Sequence, residues 1–154
     1  MLTSSVVSEA IFDTIRRSSC RVSPDVRRAF ERAIAVEDSE LSCSALSETL
    51  RSLDLSAERC SPACPDTGWP LFFFKIGHRA CLPGGLLSLA ELARDAVRKA
   101  TRDGVLRATM KHPLTGADPG DNVGMNIPGM KYRFVPGEDL QVTFVAKGGG
   151  SECL

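Results

Sequence analysis

Hydrophobic positions along the first third of the chain recur at helical spacing. Val7, Ile11 and Ile15 stand four residues apart, one stripe of a short helix. Ser23-Pro24-Asp25 has the chemistry of a helix start: a Ser oxygen to cap free amides, Pro in the first turn and Asp against the positive dipole end. The helix it opens places Val26, Phe30, Ala33 and Ile34 on an inward face. A third helix is predicted over 40–53, with Leu41, Ala45, Leu46, Leu50 and Leu53 inward. At Cys60 the pattern changes. Residues 61–68 carry two prolines and a glycine and read as loop. Leu71-Phe72-Phe73-Phe74-Lys75-Ile76 follows as a strand whose nearly continuous apolar run predicts burial on both faces, with Gly77 ending it. Helical spacing returns over 86–103 through Leu86, Leu89, Ala93, Ala96, Val97 and Ala100, and Gly104 sits at the expected cap. A Pro, Gly and Asn-rich loop spans 111–130. Strands over 131–135 and 140–146 then flank Pro136-Gly137, which reads as a hairpin turn.

These elements predict a mixed α/β protein: an N-terminal helical layer packed on a mixed sheet, with helix 86–103 crossing it. The expected organisation is a single domain over 1–154, comprising a helical lead-in (1–58) and a sheet-containing part (59–154). Nineteen basic and nineteen acidic side chains give no net charge, which argues against broad attraction to nucleic acid or anionic membrane. No run approaches the roughly 20 apolar residues that span a bilayer, and Met1 to Val7 lacks the basic flank and apolar run of an export signal. Six cysteines in such a chain predict reduced thiols in the cytoplasm, most of them small buried apolar residues. Open strand edges predict pairing with a partner or with a second copy.

Three stretches carry candidate chemistry. In Cys64-Pro65-Asp66-Thr67-Gly68, a cysteine on a turn offers a soft thiolate beside hydrogen-bonding groups and free amides, although the same residues suit a plain structural turn. A zinc site is the weaker reading, because Cys60 and Cys64 have only Cys81, His78 and His112 as helpers, in no paired spacing. Lys147-Gly148-Gly149-Gly150 lets backbone amides approach an anion, but the lysine precedes the glycines, so it is not a phosphate-binding P-loop. Gly120-Asp121-Asn122-Val123-Gly124-Met125-Asn126-Ile127-Pro128 suits a tight ligand-contacting loop. Upstream of it, Arg107 has the geometry to take a carboxylate through two parallel hydrogen bonds.

Taken in order, these motifs resemble the class I fumarate hydratases and the alpha subunits of L-tartrate dehydratase. The resemblance rests on Cys64-Pro65-Asp66-Thr67-Gly68, Phe72-Phe73-Phe74-Lys75-Ile76-Gly77, Leu106-Arg107, Gly124-Met125-Asn126-Ile127-Pro128 and Ala146-Lys147-Gly148-Gly149-Gly150-Ser151-Glu152, and covers most of residues 5–152. It implies a hydro-lyase that adds water to, or removes it from, a small dicarboxylate such as fumarate, malate or tartrate. It also implies a 4Fe-4S cluster held by three cysteines, with one iron left open as a Lewis acid. By the same resemblance Cys64 is a cluster ligand, and Asp66 is the catalytic candidate in contact with substrate. Arg107 clamps a carboxylate, while Thr67, Gly124, Asn126 and Lys147 line the substrate site. The chain departs from the family where one branch has a second cluster cysteine and this chain has Phe144, and where another has cysteine and this chain has Ser151. Cys153 is then the remaining candidate ligand. The third family cysteine lies in a Cys-Pro-Pro segment outside the span covered here. The general base is expected from a beta subunit or a C-terminal catalytic region, leaving this chain incomplete alone. The competing expectation is a noncatalytic assembly or anion-binding module on the same scaffold.

Overall fold

The computed structural model describes residues 2–64, 66–67 and 69–148. Three helices come first: α1 (Ser4–Cys20), α2 (Pro24–Val36) and α3 (Glu40–Arg59). They are followed by β1 (Trp69–Gly77), α4 (Gly85–Arg102), β2 (Gly129–Val135) and β3 (Leu140–Lys147). The fold is mixed α/β, as the hydrophobic patterning predicts.

The first helix begins where Thr3 Oγ1 accepts the Val6 amide at 3.3 Å. It buries the expected stripe of Val7, Ile11 and Ile15. α4 buries Leu89, Ala93, Ala96, Val97 and Ala100. Its alanines leave room for α1 to pack closely against it. Gly104, at φ +75°, takes the left-handed conformation after the helix end. Both helices join the sheet in one apolar cluster with Phe72, Phe74, Ile76 and Phe144. Phe72 stacks on Phe74 at 5.6 Å between ring centroids and meets the tilted Phe144 ring at 5.0 Å. Full burial of side chains such as Ile11 and Ile15 contributes roughly 1.5–3 kcal/mol each.

Two expectations about the sheet are corrected. β1 alternates, with Phe72, Phe74 and Ile76 buried while Trp69, Phe73 and Lys75 are exposed. Helices cover one face only, so the apolar run is not matched by burial on both sides. Nor do β2 and β3 form a hairpin. The strand order is β2-β1-β3, with β1 parallel to β2 and antiparallel to β3. The Pro136-Gly137 link therefore arches over the C-terminal end of β1. There Gly77 N–H donates to Asp139 O (2.8 Å), His78 N–H to Val135 O (2.9 Å) and Arg79 N–H to Gly137 O (3.0 Å). The arch closes down on Gly77: a Cβ there would lie 2.5 Å from the Gly137 carbonyl oxygen.

The helical layer is also narrower than expected. α1 packs on α4 and β3, whereas α2 packs mainly against α3. α2 buries none of its residues: Phe30, Ala33 and Ile34 are half-buried and Val26 is exposed. α3 runs on to Arg59 and buries only Ser56, with Leu41 81% exposed, Ala45 exposed, and Leu46, Leu50 and Leu53 half-buried. The periodicity is real, but its apolar stripes face each other in a two-helix hairpin tied by Arg27 to Asp54. At the start of α2 the Ser23 hydroxyl makes no cap bond to backbone. It instead helps hold the Asp25 carboxyl below its ordinary range.

Candidate functional site

Strand directions gather the candidate loops at one end of the sheet. The N-terminal ends of β1 and β2 lie side by side, with Leu71 opposite Gly129. The C-terminal end of β3 joins them, with Lys147 opposite Trp69. The loop carrying Cys64, Asp66 and Thr67 leads into β1, the loop carrying Gly124 and Asn126 leads into β2, and β3 delivers Lys147 to the same end.

Thr67 is the pivot of this end and is buried. Its Oγ1 accepts the Arg107 amide at 2.7 Å and lies 3.3 Å from the Arg107 carbonyl, to which it donates. The clasp fixes the Arg107 backbone beside the first loop while the guanidinium side chain stays exposed. Asn122 completes the knot. Its Oδ1 accepts the amides of Thr109 (3.0 Å) and Met110 (3.3 Å), and its side-chain NH₂ donates to Arg107 O (2.6 Å) and Thr101 Oγ1 (3.1 Å). Every side-chain hydrogen-bonding direction that the buried amide most needs is filled. Asn122 stands at φ +55°, a conformation asparagine tolerates better than most side chains. Sequence patterning puts Asn122 in a candidate ligand-contacting loop but marks neither it nor Thr101 as a buried hub. The available signal was an asparagine inside a glycine-rich loop, which marks a turn but not a buried hub.

The remaining candidates sit differently. Cys64 and Asp66 are exposed, and their loop is pinned to α1 by the Ala63 amide on Ser19 O at 2.9 Å. Gly124 and Ile127 exchange backbone bonds of 3.0 and 3.2 Å, so Asn126, at φ +60° and exposed, shapes the tip of a turn. No hydrogen bond joins Gly124 or Asn126 to Thr67 among the described residues. Lys147 is half-buried at the sheet end. Two surface grooves lie away from this end, along α1 and between α1 and β3.

Among the described residues no three His, Cys, Asp or Glu side chains lie close enough together to hold a metal ion. Cys64 is the exposed thiol at this end, and one thiolate does not make up the donor set of a four-iron cluster. Cys153, with Gly149, Gly150 and Ser151, lies outside the described residues. Phe144, where one branch of the resembling family has a cysteine, points into the core against Phe72. His78 and His112 shape turns, accepting at Nδ1 from the Gly137 amide (3.3 Å) and from the Leu114 and Thr115 amides (3.3 and 3.2 Å). The cysteines are more exposed than their type suggests. Among the described cysteines Cys20 alone is buried, and burial pushes its thiol up from the ordinary value. Cys43 and Cys60 are half-buried, Cys81 is exposed like Cys64, and all five described cysteines are free.

Comparison with known proteins gives a consistent picture. The family model described as fumarate hydratase (fumerase) matches residues 8–154. A Methanocaldococcus jannaschii protein provisionally named L(+)-tartrate dehydratase subunit alpha is 32% identical over 148 residues, which are 95% of this chain and 52% of that protein. A Geobacillus stearothermophilus protein provisionally named class I fumarate hydratase is 32% identical over 150 residues, 94% of this chain and 27% of that one. The L(+)-tartrate dehydratase subunit alpha of Escherichia coli K12 is 33% identical over 90 residues, 58% of this chain and 29% of the relative. The chain thus spans about half the length of the first of these relatives and less of the others.

Proposed function

The chain belongs to the fumarate hydratase (fumerase) family, a family of hydro-lyases, and on that premise we propose that it is a partial, alpha-type iron-sulfur hydro-lyase domain. In this reading it serves the reversible hydration of a small dicarboxylate, fumarate/malate or tartrate/oxaloacetate, and is incomplete without a beta subunit or C-terminal catalytic region. The observation that carries the proposal is the Thr67–Arg107–Asn122 knot. It fixes the backbone of Arg107, whose exposed guanidinium is a carboxylate-sized fork, at the sheet end where Cys64, Asp66 and Lys147 also arrive.

Each residue then has a task. Arg107 takes one carboxylate of the diacid, and Lys147 draws the anion to the same end by charge. Thr67 is a positioning residue that acts through the Arg107 backbone. Asp66 faces the reacting hydroxyl and its proton. Gly124 and Asn126 form the turn that closes the far side. Cys64 contributes one thiolate to a 4Fe-4S cluster whose other ligands come from Cys153 or from the completing polypeptide. A thiolate ligand needs a reducing compartment, and a cytoplasmic location fits this reading.

Anaerobic reconstitution with iron and sulfide tests the proposal. The isolated chain is expected to hold less than a full cluster and to show no turnover of malate or tartrate. Cys64→Ala lowers its iron further, and Arg107→Ala weakens dicarboxylate binding about tenfold or more, measured by calorimetry. A stable four-iron cluster with turnover by the chain alone refutes incompleteness. Iron uptake indifferent to Cys64→Ala, with diacid binding indifferent to Arg107→Ala, refutes the site.

A further inference from the structure

The face of the sheet turned away from α1 and α4 has a composition that its neighbours leave unexplained. Strand register sorts its side chains into rows. Nearest the candidate site stand Trp69 beside Lys147, then Leu71 beside Val145, then Phe73 between Thr143 and Lys131, then Lys75 between Gln141 and Arg133. Trp69, Phe73 and Val145 are 47%, 41% and 39% exposed. At the far end, Lys75 and Arg133 sit directly opposite one another, an arrangement of like charges that destabilises a strand pair. Lys75, Lys131 and Arg133 have no ion-pair partner among the described residues, and the face carries no carboxylate of its own.

We propose that this face seats one amphipathic acidic helix of a partner polypeptide, its apolar residues over Trp69, Leu71, Phe73 and Val145 and its carboxylates over Lys75, Lys131 and Arg133. The dimensions agree. Three strands at roughly 4.8 Å spacing make a face about 10 Å wide, the diameter of one helix. Trp69 to Lys75 spans roughly 20 Å, which a helix covers in about 13 residues. Charge selects against a second copy of this chain. When two such faces meet, the cationic rows oppose either each other or the rows of Trp69 and Leu71, and neither arrangement supplies a carboxylate. The face is continuous with the candidate site through the Trp69–Lys147 row, so a helix seated here lies next to the loops that need completing. The proposed function enters only through the identity of the partner as the polypeptide that completes the hydro-lyase.

Trp69 is the sole tryptophan and reports on this face directly. The metal-free chain of residues 1–154 is titrated with an 18-residue helical peptide of leucines with glutamates grouped on one end of the apolar stripe, and with its lysine counterpart. The acidic peptide is expected to shift Trp69 emission saturably to shorter wavelength, and the basic one is not. Affinity falls at least tenfold in Lys75→Glu/Arg133→Glu and in Phe73→Glu, with far-UV circular dichroism confirming that both variants keep the fold. Equal response to both peptides, no response to either, or a concentration-dependent dimer by light scattering that Phe73→Glu dissolves, overturns the proposal. Because no iron takes part, this result stands apart from the success or failure of cluster assembly.

Discussion

Asn122 ties the backbone of 107–110 to the Thr101 side chain on α4, so its removal leaves several polar groups without partners at once. Asn122→Ala is expected to lower stability by about 2–4 kcal/mol, from orphaned amides at Thr109 and Met110 and a weakened Arg107 carbonyl, measured by urea unfolding. Asn122→Asp keeps the acceptor but turns a buried carboxylate oxygen toward the Arg107 carbonyl, and should cost at least as much as Asn122→Ala at neutral pH. Thr67→Val makes a sharper local test: it removes the clasp while conserving volume, and should weaken dicarboxylate binding more than it lowers the unfolding midpoint. The residue scale is also where legibility was most uneven. The motifs that hold Cys64, Asp66, Thr67 and Arg107 stand out in the sequence because short motifs in a fixed order are a linear property of it, and the structure adds that Thr67 clasps the Arg107 backbone. The role of Asn122 does not stand out, because it depends on being surrounded, and the loop composition that marks a turn is the same whether the turn is buried or open.

At the scale of elements, helical stripes were read correctly where a second surface exists to receive them. Val7, Ile11 and Ile15 meet α4 and the sheet, while Leu41 and Val26 carry the same periodicity and remain exposed. Periodicity shows which side of a helix is apolar but not what lies against it. The sheet shows the same limit. A turn signal between two strands predicts a hairpin because adjacent pairing is the common outcome, yet β1 occupies the gap between β2 and β3. The residue that admits this arrangement is Gly77, over which the connecting arch passes. Gly77→Ala is expected to cost about 1–3 kcal/mol by forcing the arch off the strand end, read as a lower denaturant midpoint with an unchanged slope. Gly104→Ala, where nothing lies within contact distance, is the control for backbone strain alone.

For the whole molecule, one apolar cluster joins α1, α4 and the sheet, and the α2–α3 hairpin stands beside it. Ile11→Ala, at a fully buried position in that cluster, should cost about 2–5 kcal/mol in thermal or urea unfolding. Leu53→Ala in the half-buried hairpin should cost about 1 kcal/mol. Coincident unfolding midpoints for probes in the hairpin and in the core would show that the two belong to one cooperative unit. The position of β1 has a further consequence during synthesis. This most apolar strand of the chain leaves the ribosome before either neighbour, and its antiparallel mate at 140–147 follows more than sixty residues after Ile76. At roughly 5–20 residues per second, Phe72, Phe73 and Phe74 wait about 3–11 seconds with both edges unpaired, until β2 begins at Gly129. During that interval the nascent protein depends on whatever shields an aromatic β-prone segment, so its yield in the cell is set by chaperone supply and translation speed as much as by the stability of the finished fold.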